Sequence, residues 1–216
     1  MKYIIVLLGF LSFSCKDEIK KDSSQKLFCN NEHYFFRNNP NTILNIDLNQ
    51  TPEDITTSII KNNNNINLCE IGITNSKIEL ASETLEIPYV FRKQGCVSAR
   101  YNTIDLTINS EGKILFNGEL KKFDEFKNEV VSILRRNSNG LNVHLLVELV
   151  VYKGLSQQIF NSIIIEFYKG VSIGINEMSE ISFKKSFCDL KKEEVDYISS
   201  KLDVFFTNPE ELVIEN

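Results

Sequence analysis

Residues 141–152, LNVHLLVELVVY, form a near-continuous apolar run rich in β-branched side chains. A strand that is apolar on both sides needs cover on both faces, so this run demands a sheet in which it is central. The surrounding sequence supplies candidate neighbours. From Ile104, IDLTINSEGKILFNGE alternates apolar and polar residues on both sides of Ser110-Glu111-Gly112, and Asn117-Gly118 follows as a second tight-turn pair. Both signals predict a hairpin.

Phe123, Phe126, Val130, Ile133 and Leu134 recur at helical spacing, with Asp124 near the start and Arg135 and Arg136 at the end. That charge order complements the helix dipole and predicts an amphipathic helix. After the apolar run, Leu155, Ile159, Ile163 and Phe167 predict a second helix from about residue 155 to 168. Gly170 is expected to stop it, and Val171, Ile173 and Ile175 to return as a strand. Val195, Ile198, Leu202 and Phe205 or Phe206 predict a further helix within 190–206, limited by Pro209, and Leu212-Val213-Ile214 a terminal strand.

The first half reads as β-α-β-β. Residues 43–48 alternate as a strand. Thr51-Pro52-Glu53-Asp54 then offers an N-cap, a proline at the first helical position and acids in the first turn, so a short helix is expected from Pro52 to about Lys61. Strands are expected around Leu68 to Ile73, at Ile78 and Leu80, and at Leu85 and Ile87 before Pro88. The aromatic cluster His33-Tyr34-Phe35-Phe36 beside Arg37 reads first as an N-terminal strand packed into the core, and secondly as a sugar-stacking or peptide-binding face. The expected fold class is α+β, a mixed sheet with about four helices, in two subdomains at 27–95 and 96–216.

The amino terminus gives an address. Met1 to Ser14 contains one basic residue, Lys2, and an apolar stretch too short to span a bilayer, and it ends at Cys15. Leu11-Ser12-Phe13-Ser14-Cys15 resembles the lipobox of bacterial lipoproteins. Residues 1–14 are therefore expected to be a signal peptide, Cys15 the lipidated residue, and 15–26 a charged flexible tether. Lys16-Asp17-Glu18 resembles the signal that exports lipoproteins of the Bacteroidetes to the cell surface. A periplasm-facing outer-membrane anchor is the alternative. Acyl chains hold a protein on a membrane without a spanning helix.

Removing 1–14 takes away Lys2 and no acid, leaving 23 basic against 29 acidic side chains and a formal charge of −6. That balance argues against a nucleic-acid partner, whose phosphates demand Lys and Arg. With Cys15 lipidated, Cys29, Cys69, Cys96 and Cys188 remain, an even number suited to two disulfides with three possible pairings. No two of them have metal-knuckle spacing and His33 and His144 stand alone, so neither a metal nor a cofactor is expected.

No G-x-S-x-G, H-E-x-x-H or glycine-rich phosphate loop is present. Glu148 is the one acid inside the apolar run, and burying an acid costs free energy unless it is paired. A salt-bridged or edge-facing role is expected for it and for Glu166. The minority reading makes Glu148, with a second acid, the catalytic pair of a glycan- or peptide-acting hydrolase.

Residues 85–182, opening with LEIP and continuing through IDLTINSEGKILFNGELKKFDEFKNEVVSIL, resemble the periplasmic domain of the ExbD/TolR family of biopolymer transport proteins. Gly112 and Gly118 match that family's hairpin glycines. The resemblance implies a domain that pairs with itself, giving a homodimer, and contacts the cell wall or receptor segments. The family's proton-accepting transmembrane aspartate has no counterpart in Met1 to Ser14, and the apolar VELVVYKG replaces its polar strand end, so proton coupling is not implied. The expected function is a lipid-anchored, non-enzymatic envelope protein that binds an envelope protein or peptidoglycan. Capture of a soluble ligand at the surface is the alternative.

Overall fold

The run at 141–152 is a central strand. In the computed structural model, which describes residues 26–36, 43–44, 72–79, 84–91, 102–137, 143–152 and 154–207, it forms β7 (Val143–Val151), with parallel neighbours on both edges. On one side lies β4 (Asn102–Ile108), with Ile104 opposite Val147 and Leu106 opposite Leu149. On the other lies β8 (Leu202–Thr207), with Val204 opposite Leu145 and Phe206 opposite Val147.

The hairpin forms where the turn residues place it. β5 (Ile114–Phe116) runs antiparallel to β4, and β6 (Glu119–Lys121) antiparallel to β5. Asn117 and Gly118 take left-handed backbone conformations at φ 50° and 77°, as a two-residue hairpin turn requires. Beyond β8 come β3 (Thr84–Phe91), parallel to it, then β2 (Gly72–Glu79) antiparallel to β3, and β1 (Ile43–Leu44). Among the described residues the strand order is β1-β2-β3-β8-β7-β4-β5-β6. The mixed sheet, with four α-helices, is the α+β class expected. Residue 95, the expected meeting point of two subdomains, lies outside the described residues, as do the helix expected at 52–61 and the strand at 212–214.

The connections into and out of β7 carry helices. Between β6 and β7 runs α2 (Phe123–Asn137), amphipathic as predicted, burying Phe126, Val130, Ile133 and Leu134. Between β7 and β8 run α3 (Gln157–Phe183), a 3₁₀ turn at Phe187–Asp189, and α4 (Lys192–Ser199). Most buried side chains of these helices share one core with Ile104, Leu106 and Ile108 of β4, Leu145, Val147 and Leu149 of β7, and Leu202, Val204 and Phe206 of β8. Alternation puts those strand residues on one face. The helical layer therefore sits on that face.

Three expectations are corrected. Gly170 does not stop a helix and 171–175 is not a strand: α3 continues for 27 residues through Gly170 and Gly174. The two glycines lie one turn apart against α2, where an added Cβ would meet Val130 and the Lys127 carbonyl at Gly170 and the Leu134 side chain at Gly174. The expected helix over 190–206 ends at Ser199, because the lower half alternates with period two and enters the sheet as β8. Finally, 33–36 is helical rather than a strand, forming α1 (Asn30–Phe36), whose Phe36 stacks edge-on against Tyr168 of α3 at 4.6 Å.

Candidate functional site

Two places gather chemistry: the covalent junction between α1 and the body, and the sheet face away from the helices. At the junction, Cys29, at the entry to α1, is disulfide-bonded to Cys188 of the 3₁₀ turn across 159 residues, with Cα atoms 5.9 Å apart. Glu32 lies beneath it, only 7% exposed. The Cys29 backbone N–H donates to Glu32 Oε2 at 2.6 Å, and the Ser172 hydroxyl of α3 donates to Glu32 Oε1. A carboxylate receiving two such donors meets the cost of burial.

Asn31, the next residue but one after Cys29, reaches across to the same turn. Its side-chain amide donates to the Phe187 and Leu190 carbonyls at 2.9 Å each and, more distantly, to Cys188 O at 3.3 Å. Phe35 packs edge-on to Phe187 at 5.9 Å. Further along the surface, the exposed Tyr34 hydroxyl donates to Asp196 Oδ1 at 3.0 Å, and Lys192 lies over the Tyr34 ring. Of the four expected aromatics, only Tyr34 is exposed and Phe36 is fully buried, so they do not form one continuous binding face.

The far face of the sheet is organised in rows across the strands. Leu120 of β6 stands opposite Leu115 of β5, Leu115 opposite Thr107 of β4, and Thr107 opposite Val150 of β7. Leu120 is 67% exposed, Leu115 39%, and Tyr152, just beyond β7, 45%. The next row pairs Asp105 of β4 with Glu148 of β7. Parallel neighbours are about 4.8 Å apart, so the two carboxylate-bearing residues sit side by side, Asp105 exposed and Glu148 half-buried. In the third row Leu146 and Phe205 are buried together, apart from the main core.

Glu166 makes an ion pair with Lys169 at 2.6 Å, the structural role expected for it. His33 lies with its ring edge to Phe28 at 6.2 Å. Cys15, Lys16, Asp17, Glu18, Cys69 and Cys96 lie outside the described residues. Among those residues, no helix is long and apolar enough to cross a membrane.

Glu32 is the buried, hydrogen-bonded acid at this junction that the sequence reading missed. Its signal was the spacing Cys29-x-x-Glu32, in which an acid three residues along reaches back to a backbone N–H as in a capping box. Neither a family model, nor a curated protein, nor a solved structure matches the chain.

Proposed function

We propose that this chain is a non-enzymatic, lipid-anchored cell-envelope protein that binds a partner through the far face of its sheet. The observation that carries the reading is the row Leu120, Leu115, Thr107 and Val150, exposed at its two leucines and half-buried at Thr107 and Val150, and extended by the exposed Tyr152. Three aliphatic side chains and a threonine aligned across four strands, on the side away from the helices, offer contact area to a partner. Asp105 and Glu148, in the adjoining row, give that surface an acidic border.

The partner is an envelope protein or peptidoglycan, and the anchor is the lipid on Cys15. Support for the anchor is the sequence alone: a short apolar leader ending in Ser14-Cys15, then the charged segment 16–26 that lets the folded part stand off the membrane. The order hairpin, helix, strand, helix over residues 102–183 supports a module similar to the ExbD/TolR periplasmic domain, while the strand that the resemblance expects at 171–175 is helical.

Two experiments test the reading. Cys15→Ala should abolish palmitate labelling and release the protein from membranes; unchanged labelling would refute the anchor. A photo-crosslinker at Leu120 should capture an envelope protein or peptidoglycan in intact cells, and Leu115→Asp in the same chain should remove that product. No adduct from any exposed position in the row would overturn the binding role.

A further inference from the structure

We propose that the Cys29–Glu32–Cys188 cluster is a site for a thiophilic divalent cation, Zn²⁺ by its chemistry, that becomes available when the disulfide is reduced. The two sulfurs and a Glu32 carboxylate oxygen lie within 4.8 Å of one another. Zn²⁺ takes Cys sulfur at about 2.3 Å and carboxylate oxygen at about 2.0 to 2.2 Å, which puts tetrahedral ligands about 3.3 to 3.8 Å apart. The two bonded sulfurs therefore have to separate by about an ångström or more, and the carboxylate oxygen to close on them by about an ångström, to take up an ion.

The carboxylate is already in place. Glu32 is buried and held by the Cys29 N–H and the Ser172 hydroxyl, and each of its oxygens keeps a lone pair beyond the one engaged. Cys188, by contrast, is exposed, which supplies both an entry path and an open fourth position for water.

The two thiols stay together after the S–S bond is cut because other contacts hold the segments. Asn31 still bonds the carbonyls of Phe187 and Leu190, Phe35 still packs on Phe187, and Phe28 and Phe36 remain in the core. Reduction by a dithiol adds two electrons and two protons to the disulfide and leaves the reductant as its own disulfide. The cation then displaces both thiol protons. Two thiolates and a carboxylate bring three negative charges to a 2+ ion, a donor set that suits zinc better than the harder calcium or magnesium. Disulfide and metal are mutually exclusive, so the redox state decides occupancy.

The test uses the full chain with Cys15, Cys69 and Cys96 replaced by serine, reduced with a phosphine, which takes oxygen from water and does not compete as a thiol ligand. Titration with Co²⁺ should give one equivalent bound, with a tetrahedral visible spectrum and a thiolate-to-cobalt band, both lost on adding Zn²⁺. The oxidised protein should bind none. Glu32→Gln preserves both hydrogen bonds, because the Ser172 hydroxyl can accept as well as donate, and should weaken the affinity about tenfold or more.

If the triple serine chain does not fold, the reduced unaltered chain is compared with its Glu32→Gln and Cys188→Ser variants. Absence of a thiolate–cobalt band that depends on Cys188, or an affinity unchanged by Glu32→Gln, overturns the proposal.

Discussion

Gly170 of α3 and Val130 of α2 stand so close that a Cβ added to the glycine would lie 2.8 Å from the valine Cβ and 2.9 Å from the Lys127 carbonyl oxygen. At Gly174, one turn on, the atom met is the Leu134 Cδ1, at 2.5 Å. The first neighbour is backbone and a branched Cβ, while the second is the far end of a flexible side chain. Only the second can swing aside cheaply.

Alanine at the two positions should therefore differ. In an open helix the change from glycine gains up to about 1 kcal/mol, but overpacking a fitted interface costs about 1 to 3 kcal/mol. Gly170→Ala is expected to lower the urea midpoint clearly and Gly174→Ala to lower it less or leave it unchanged. Equal and neutral effects would show that α2 and α3 do not approach this closely.

Tyr168 offers the opposite case. Its ring is packed by Phe36, Phe167 and Phe206, the residue is 1% exposed, and its buried hydroxyl has no hydrogen-bond partner among the described residues. Burial pushes its ionisation far above the ordinary tyrosine range. Removing a buried polar group that has lost water and gained nothing is neutral or stabilising, by up to about 1 to 3 kcal/mol. Tyr168→Phe should thus melt at or above the parent temperature, and a marked fall would reveal a partner for the hydroxyl.

The Cys29–Cys188 bond closes a loop of 159 residues. Its loss should cost about 2 to 5 kcal/mol, chiefly by freeing the unfolded chain. Cys29→Ser with Cys188→Ser is expected to lower the thermal midpoint by several degrees while leaving far-ultraviolet circular dichroism unchanged, since α1 keeps its Asn31 bonds. Cys69 and Cys96 lie outside the described residues. Denatured, unreduced and lipidated protein should show no free thiol; two free thiols would leave the Cys29–Cys188 bond alone.

Acid should weaken the fold through its carboxylates. The hydrogen bond and charge of Arg135 lower the pKa of Glu177, a bidentate pair tying α2 to α3. Lys185 and then the Lys191 N–H do the same for Glu194, and Lys192 and then the Tyr34 hydroxyl for Asp196. A carboxyl with a depressed folded pKa contributes stability above its unfolded pKa, near 4, and loses it as pH falls through the folded value. Thermal midpoints should be flat from about pH 7 to 5 and fall below about pH 4, less steeply in Glu177→Gln. Asp196 is exposed and Glu177 and Glu194 are half-buried at the surface, where solvent screening keeps each contribution small.

Local patterning carried the reading of the middle of the chain. From Ile104 to Tyr152, period-two alternation, the turns at Gly112 and Asn117-Gly118, and the charge-ordered helix all specify the same local structure, and each appears at its place. Around Gly170 the local evidence misled, because a glycine that relieves crowding against a neighbouring helix has the same letter as one that ends a helix. Val171 and Ile175 are buried and Ile173 is exposed, a pattern that suits a helix continuing from Phe167. At Leu202 to Phe206 two periodicities overlapped, and pairing with β7, a partner some sixty residues away in sequence, decided between them. The Cys29–Cys188 pairing had no local signature at all, and neither did the meeting of Glu32 with Ser172.

The position of the disulfide has a mechanical consequence. Were the chain held at Cys15, as proposed, a pull on the folded part would arrive first at Leu27 and Phe28, immediately before Cys29. Without a crosslink, that load would peel α1 away like tape, breaking one small contact at a time. With Cys29 bonded to Cys188, the force passes by a covalent route into the segment between α3 and α4, so the load is borne by the body of the domain at once and α1 is spared.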